Sequence, residues 1–119
     1  MGARRILVVD DDQGVRDAVC YMLTLLGYAA EPVSGAGEAL DRFRPGRYHL
    51  VVTDLAMPVM DGLQLARRLR ALEPSLPILI FSGTFVAGET SLEVGGVPVA
   101  RKPDVEELAR LVQRTLAGS

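Results

Sequence analysis

The stretch Leu50-Val51-Val52-Thr53-Asp54-Leu55-Ala56-Met57-Pro58 decides the fold. It reads as a short apolar strand, rich in β-branched residues, that stops abruptly at a carboxylate. Pro58 follows four residues on, and Asp61-Gly62 opens a new helix. A strand tip is where an open α/β sheet places its ligand chemistry. Asp54 therefore stands where a reactive side chain would stand.

Outward from this stretch, strand and helix patterns alternate. Upstream, Ile6 to Val9 is a continuous apolar run suited to a strand buried on both faces, and it ends at Asp10-Asp11-Asp12. Val15, Val19, Met22, Leu23 and Leu26 then mark one face of a helix that Gly27 caps. Tyr28 to Val33 reads as a second strand, and Pro32 places it at an edge. Glu38 to Phe43 is expected to form a short second helix, followed by the third strand, His49 to Thr53. Downstream, Gly62 to Leu72 carries Leu63, Leu65, Ala66, Leu69 and Leu72 as a third helix, which Pro74-Ser75 breaks. Pro77 to Phe81 is a very apolar fourth strand ending at Ser82. Phe85 to Gly96 holds three glycines and no clean helical face, so at best a short, loose fourth helix is expected there. Val97 to Ala100 reads as a fifth strand ending at Arg101-Lys102-Pro103, and Val105 to Leu116 as a terminal helix. The alternation predicts an α/β fold with a doubly wound parallel sheet of five strands and helices on both faces.

The bulk numbers agree with one domain over residues 1–119. A chain of this length buries roughly two thirds of its unfolded surface and needs no disulfide or structural metal. Apolar residues make up 49% and charged residues 24%, as in ordinary globular proteins, and the net charge of −2 gives no nucleic-acid footprint. The single cysteine, Cys20, falls within a helical apolar pattern and reads as an inert core thiol. No apolar run approaches a membrane span, and the four-residue run Ile6–Val9 is no secretory segment, so a cytoplasmic location is expected.

Four strand ends carry polar residues: Asp10, Asp11 and Asp12, then Asp54, then Ser82, then Lys102. In a parallel sheet these ends share one edge, so side chains far apart in sequence converge. Clustered carboxylates want a cation, and hard oxygen donors without His or Cys suit Mg²⁺. His49 is the only histidine and does not belong at this edge. Lys102 is the sole lysine among 13 basic residues. Its compact ammonium suits contact with one carboxylate or phosphate oxygen. Ser82 offers a hydroxyl that can donate to a phosphoryl oxygen. An aspartate can form an aspartyl-phosphate, which makes Asp54 the candidate nucleophile. The chain has neither a P-loop nor a G-x-G-x-x-G motif, so the phosphoryl donor is expected to be a phosphoprotein or a small phosphodonor.

The segments ILVVDDDQGVR (6–16), LVVTDLAMPVMDG (50–62), PILIFSG (77–83) and RKP (101–103) occur in the order and spacing of a known family. In these the chain resembles the receiver domain of bacterial two-component response regulators. The resemblance implies a flavodoxin-like sheet of order 2-1-3-4-5. It implies Asp54 as phosphoacceptor, Asp10 and Asp11 as the acidic pair that binds Mg²⁺, and the Ala56 carbonyl as a further ligand. Ser82 matches the switch hydroxyl, and Lys102 the lysine that contacts the phosphoryl group. A histidine kinase or phosphotransfer protein would be the donor, with a downstream protein target and a phosphorylation-dependent dimer among the family's habits. Such a domain catalyses only its own phosphorylation and dephosphorylation. Two positions depart from the pattern: Val99 stands where an aromatic residue is usual, and Asp104 where a Phe is usual. The segment between Ser82 and Lys102 is also short and glycine-rich, as in receivers of hybrid sensor kinases and some stand-alone regulators.

Two rival readings differ in chemistry. A haloacid-dehalogenase-type phosphatase also begins with a strand and an Asp-x-Asp, but Gly14 occupies the position where that motif wants Thr or Val. A pseudo-receiver would share the fold and serve only as a docking module without phosphorylation.

Overall fold

Alternation within the apolar strands divides the core into two layers. In β1 (Arg5–Val9), Leu7 and Val9 face one side while Ile6 and Val8 face the other. The computed structural model describes residues 2–83 and 93–117. Its remaining elements are α1 (Gln13–Leu25), β2 (Ala29–Val33), α2 (Ala36–Arg42), β3 (Leu50–Thr53), α3 (Gly62–Leu72), β4 (Ile78–Ser82), β5 (Glu93–Val94), β6 (Val97–Arg101) and α4 (Val105–Ala117). Leu65, Ala66 and Leu69 of α3 and Ala36 and Ala39 of α2 cover one face of the sheet. Val19 and Leu23 of α1 and Leu108, Val112 and Leu116 of α4 cover the other.

The sheet order is β2-β1-β3-β4-β6-β5. The first five members pair in parallel, and β5 pairs antiparallel with β6. The expected order 2-1-3-4-5 is therefore present, with β6 as its fifth strand. One element is new: Glu93 and Val94 form a strand that turns through Gly95 and Gly96 into β6. Both glycines have positive φ, +56° and +81°, the left-handed backbone that a two-residue hairpin turn demands. The rest of the expected fourth helix, residues 84–92, lies outside the described residues. Its C-terminal part is corrected to a hairpin because Val-Gly-Gly-Val favours a tight turn over a helical one.

Caps set the helix boundaries. The Asp12 side chain accepts from the Val15 N–H at 3.2 Å and starts α1, and Gly27 (φ +92°) ends it. Asp61 and Gln64 form a reciprocal capping box at the start of α3. Helix α2 begins two residues before the expected Glu38. That side chain instead reaches back to accept from the Ser34 N–H at 2.8 Å, so the first turn precedes it. β2 lies at the sheet edge, where Pro32 disturbs no central ladder.

Helix α3 starts under a steric constraint. A Cβ built on Gly62 would lie 2.1 Å from the Asp54 carbonyl oxygen and 3.1 Å from the Leu55 Cα. The Gly62 N–H donates to the Leu55 carbonyl at 2.8 Å, so the chain folds back tightly onto the end of β3. Only glycine permits this approach. Gly62→Ala is expected to lower stability by about 1–3 kcal/mol, because backbone rather than a flexible side chain must yield. Chemical denaturation of the two proteins checks this.

Candidate functional site

Register brings the acidic residues together. Val9 pairs with Thr53 across β1 and β3, so Asp10 and Asp54 leave the sheet side by side, and the Asp54 N–H donates to the Val9 carbonyl at 2.9 Å. From β1 the chain passes to one side through α1 to β2, while β3 lies on the other flank. The two aspartates therefore flank the point where strand order reverses, the crevice in which doubly wound sheets bind ligands. Ser82 pairs with Arg101 across β4 and β6, which puts Lys102 one residue beyond, its N–H donating to the Ser82 carbonyl at 2.9 Å. The Lys102–Pro103 peptide is cis.

Carboxylate oxygens of Asp10, Asp11 and Asp54 all lie within 4.8 Å of one another. At that separation two unit charges repel by roughly 3.5 kcal/mol with an effective dielectric near 20. Asp10 and Asp54 are buried and Asp11 is exposed, so the cluster opens to solvent on one side. The Lys102 Nζ donates to Asp10 Oδ2 at 2.8 Å and lies 3.4 Å from Asp54 Oδ1. One ammonium against three carboxylates leaves the rim anionic. The donor set is all oxygen, with one face open, and it fits a hard divalent cation.

Asp10 is further fixed from its own strand end. Its Oδ1 accepts from the Asp12 N–H at 2.9 Å, and its carbonyl accepts from Arg16 Nη1 at 2.7 Å. The Thr53 hydroxyl donates to the Asp54 carbonyl at 2.9 Å. These second partners, Arg16 and Thr53, and the close approach of Gly62 were not singled out from the sequence. Arg16 had a weak signal, standing one helical turn after Asp12. Thr53 had none, since a threonine in a strand is ordinary.

Burial pushes the Asp54 carboxyl above the ordinary aspartate range; the Lys102 ammonium opposes this and Asp10 adds to it. Burial pulls Lys102 down, but its hydrogen bond to Asp10 and the charge on Asp54 outweigh that and raise it above an ordinary lysine. Lys102 is thus held as an ammonium, and ionised Asp54 is under electrostatic stress.

Each residue expected from the sequence has a definite place. Asp10, Asp11, Asp54 and Lys102 meet at one rim. Ser82 is fully buried at the tip of β4, the strand beside Asp54. Ala56 is exposed in the loop two residues beyond Asp54. His49 lies at the opposite end of the sheet, where its Nδ1 accepts from the Arg5 N–H at 3.0 Å. Cys20 is half-buried against the α1–α4 layer, and burial raises its thiol. Val99, in place of the usual aromatic residue, is buried in the core layer beneath α2 and α3. Among the described residues, no helix is long and apolar enough to cross a membrane.

A doubly wound sheet whose switch point carries three aspartates and a lysine defines a signalling receiver. The chain belongs to the response regulator receiver domain family, whose model matches residues 6–113. The response regulator MprA of Mycolicibacterium vanbaalenii is 39% identical over 107 residues, which cover 87% of this chain and 46% of that protein. The chain spans about half the length of the curated relatives it matches. Among solved structures, the chemotaxis protein CheY4 of Vibrio cholerae is similar at a TM-score of 0.82 and 28% identity, over 97% of this chain and 100% of that one. TrrA of Thermotoga maritima, a response regulator solved in complex with Mg²⁺–BeF, is similar at 0.81 and 28% identity, over 95% and 99%.

The raised Asp54 carboxyl makes a stability prediction for metal-free protein. An acid whose folded value lies above its ordinary 3.8 binds its proton more tightly when folded, so its ionisation costs stability as pH rises through the folded value. Asp54→Asn removes that cost. In chelator, the variant is expected to melt above the parent near neutral pH. The gap should close as pH falls toward 3.8. Thermal unfolding across that range checks both the sign and the closure.

Proposed function

We propose that residues 1–119 form one phosphoacceptor receiver domain of a two-component phosphorelay, with Asp54 taking a phosphoryl group from a histidine kinase or phosphotransfer protein. The observation that carries this reading is the rim itself: three carboxylates within 4.8 Å of one another, two of them, Asp10 and Asp54, bridged by the ammonium of Lys102. In this reading Mg²⁺ would be held by Asp10, Asp11 and Asp54 with the carbonyl of Ala56. When bound, Mg²⁺ supplies neutralisation of charge on the phosphoryl oxygens and a template for their orientation.

The chain's own groups supply the rest. Asp54 is a buried carboxylate at the mouth of the crevice, so its oxygen is positioned as nucleophile with little water around it. The bond formed is from an Asp54 oxygen to phosphorus, and the bond broken joins phosphorus to the donor's nitrogen or oxygen. The Lys102 ammonium lies 3.4 Å from Asp54 Oδ1 and meets the charge that arrives with the phosphoryl group. The Ser82 hydroxyl, at the neighbouring strand tip, is the hydrogen-bond donor that senses the new oxygens. Arg16 and Thr53 fix Asp10 and the backbone of Asp54, so both carboxylates keep their place. Output passes to a downstream protein or to a phosphorylation-dependent dimer, and the whole acts in the cytoplasm.

Incubation with acetyl phosphate and Mg²⁺ followed by intact-mass measurement tests the reading. A gain of roughly 80 Da is expected, reversed by hydroxylamine and absent from Asp54→Asn. Lys102→Ala is expected to slow the gain by at least about tenfold, through loss of a charged partner at the transferring group. No gain from acetyl phosphate, phosphoramidate or an active histidine kinase would leave a pseudo-receiver instead.

A further inference from the structure

The outward face of α3 runs Gln64, Arg67, Arg68, Ala71 and Leu72, the spacing of one helical stripe. Arg67 and Arg68 are exposed, and neither makes an ion pair or hydrogen bond among the described residues. The phosphorylation reading gives them no task. At the N-terminal end of the stripe stands Val59, with φ +71° and its side chain wholly in solvent. A β-branched residue is disfavoured in left-handed backbone, and here burial returns nothing in compensation. Val59, Met60, Gln64, Arg67 and Arg68 line one groove of about 420 Å³. Beyond the groove, at the C-terminal end of the helix, Leu72 is 55% exposed. Two unpaired guanidinium groups thus sit between apolar side chains that are held outward.

We propose that the α3 face from Val59 to Leu72 docks an acidic amphipathic helix of a partner protein, carboxylates on Arg67 and Arg68 and apolar side chains on Val59, Met60 and Leu72. The length fits: Gln64 to Leu72 spans about 12 Å, two turns of a partner helix. Charge selects the partner. The chain as a whole carries −2, so a basic stripe on α3 opposes its surroundings and favours an acidic ligand. A nucleic acid would use the two arginines but leave Val59 and Leu72 in water. An anionic bilayer is held by clusters of about four or more basic side chains, and this face offers two. A peptide helix satisfies both kinds of group at once.

The test uses ¹⁵N-labelled full chain, unphosphorylated, so its outcome is independent of the reaction at Asp54. The probe is a synthetic helical peptide with Glu at i and i+4 and Leu at i+3 and i+7. Saturable shifts confined to the amides of residues 59–72 are expected, with a Kd below about 1 mM. The pair of substitutions Arg67→Glu and Arg68→Glu should weaken binding at least tenfold with an unchanged circular dichroism spectrum, since both side chains are exposed. Replacing the peptide's leucines by alanine, or Val59→Gly in the protein, should weaken it as well. The proposal is overturned by shifts that map elsewhere, by no saturable binding, or by equal affinity for the doubly substituted protein. It is also overturned if heparin, phosphatidylserine vesicles or a second copy of the chain engages residues 59–72 while the peptide does not.

Discussion

Crowding of negative charge at one end of a parallel sheet is the constraint on which the rest of this structure depends. Asp10 and Asp54 are buried side by side, Asp11 closes the group, and Lys102 is the only ammonium in reach among the described residues. Such a cluster costs free energy in the isolated chain and is therefore primed to accept positive charge or to exchange solvent for a ligand. Fold and function meet at this point. The core must be stable enough to hold together carboxylates that repel one another.

It does so through register and close approach. The Val9–Thr53 pairing sets both aspartates at one level, and the Asp54 N–H continues the ladder beyond the strand. Gly62 brings the start of α3 against the carbonyl of Asp54, so the loop after Asp54 and the helix that follows it are mechanically joined. Farther along, Leu63 lies against the Gly95 turn of the β5–β6 hairpin, where an added Cβ would stand 2.8 Å from Leu63 Cδ1. Contacts therefore run without a gap from Asp54 through the first turn of α3 to the hairpin edge. Val99, where an aromatic side chain is usual in the family, is buried in the same core layer.

The two faces of the molecule are unequal. The layer of α1 and α4 is capped by an aspartate and by acidic first-turn residues. The exposed stripe of α3 has Arg67 and Arg68 as its charged members, between Asp61 at the N-cap and Glu73 at the C-cap.

Much of the fold was legible because its periods are plain. Runs such as Ile6–Val9 and Leu50–Thr53 end in aspartate, and α3 was bounded residue for residue by Gly62 and Leu72. The convergence of Asp10, Asp11, Asp54 and Lys102 followed from one rule, that parallel strands end on a common edge. The hairpin at Glu93–Val97 was missed although Gly95-Gly96 is a recognisable turn, because the expectation of a fourth helix absorbed it. Sequence alone thus determined which side chains reach the rim, since strand ends are written in local pattern. Only the tertiary structure decided the rest: which carboxylate Lys102 grips, that Arg16 and Thr53 brace the site, and that Val59 is held outward beside two arginines that have no partner among the described residues. The Lys102 contact joins residues 92 apart in the chain and exists only once strand register is satisfied; the Arg16 and Thr53 contacts are local, but they depend on rotamers that the surrounding packing selects and that a pattern of residue types does not record.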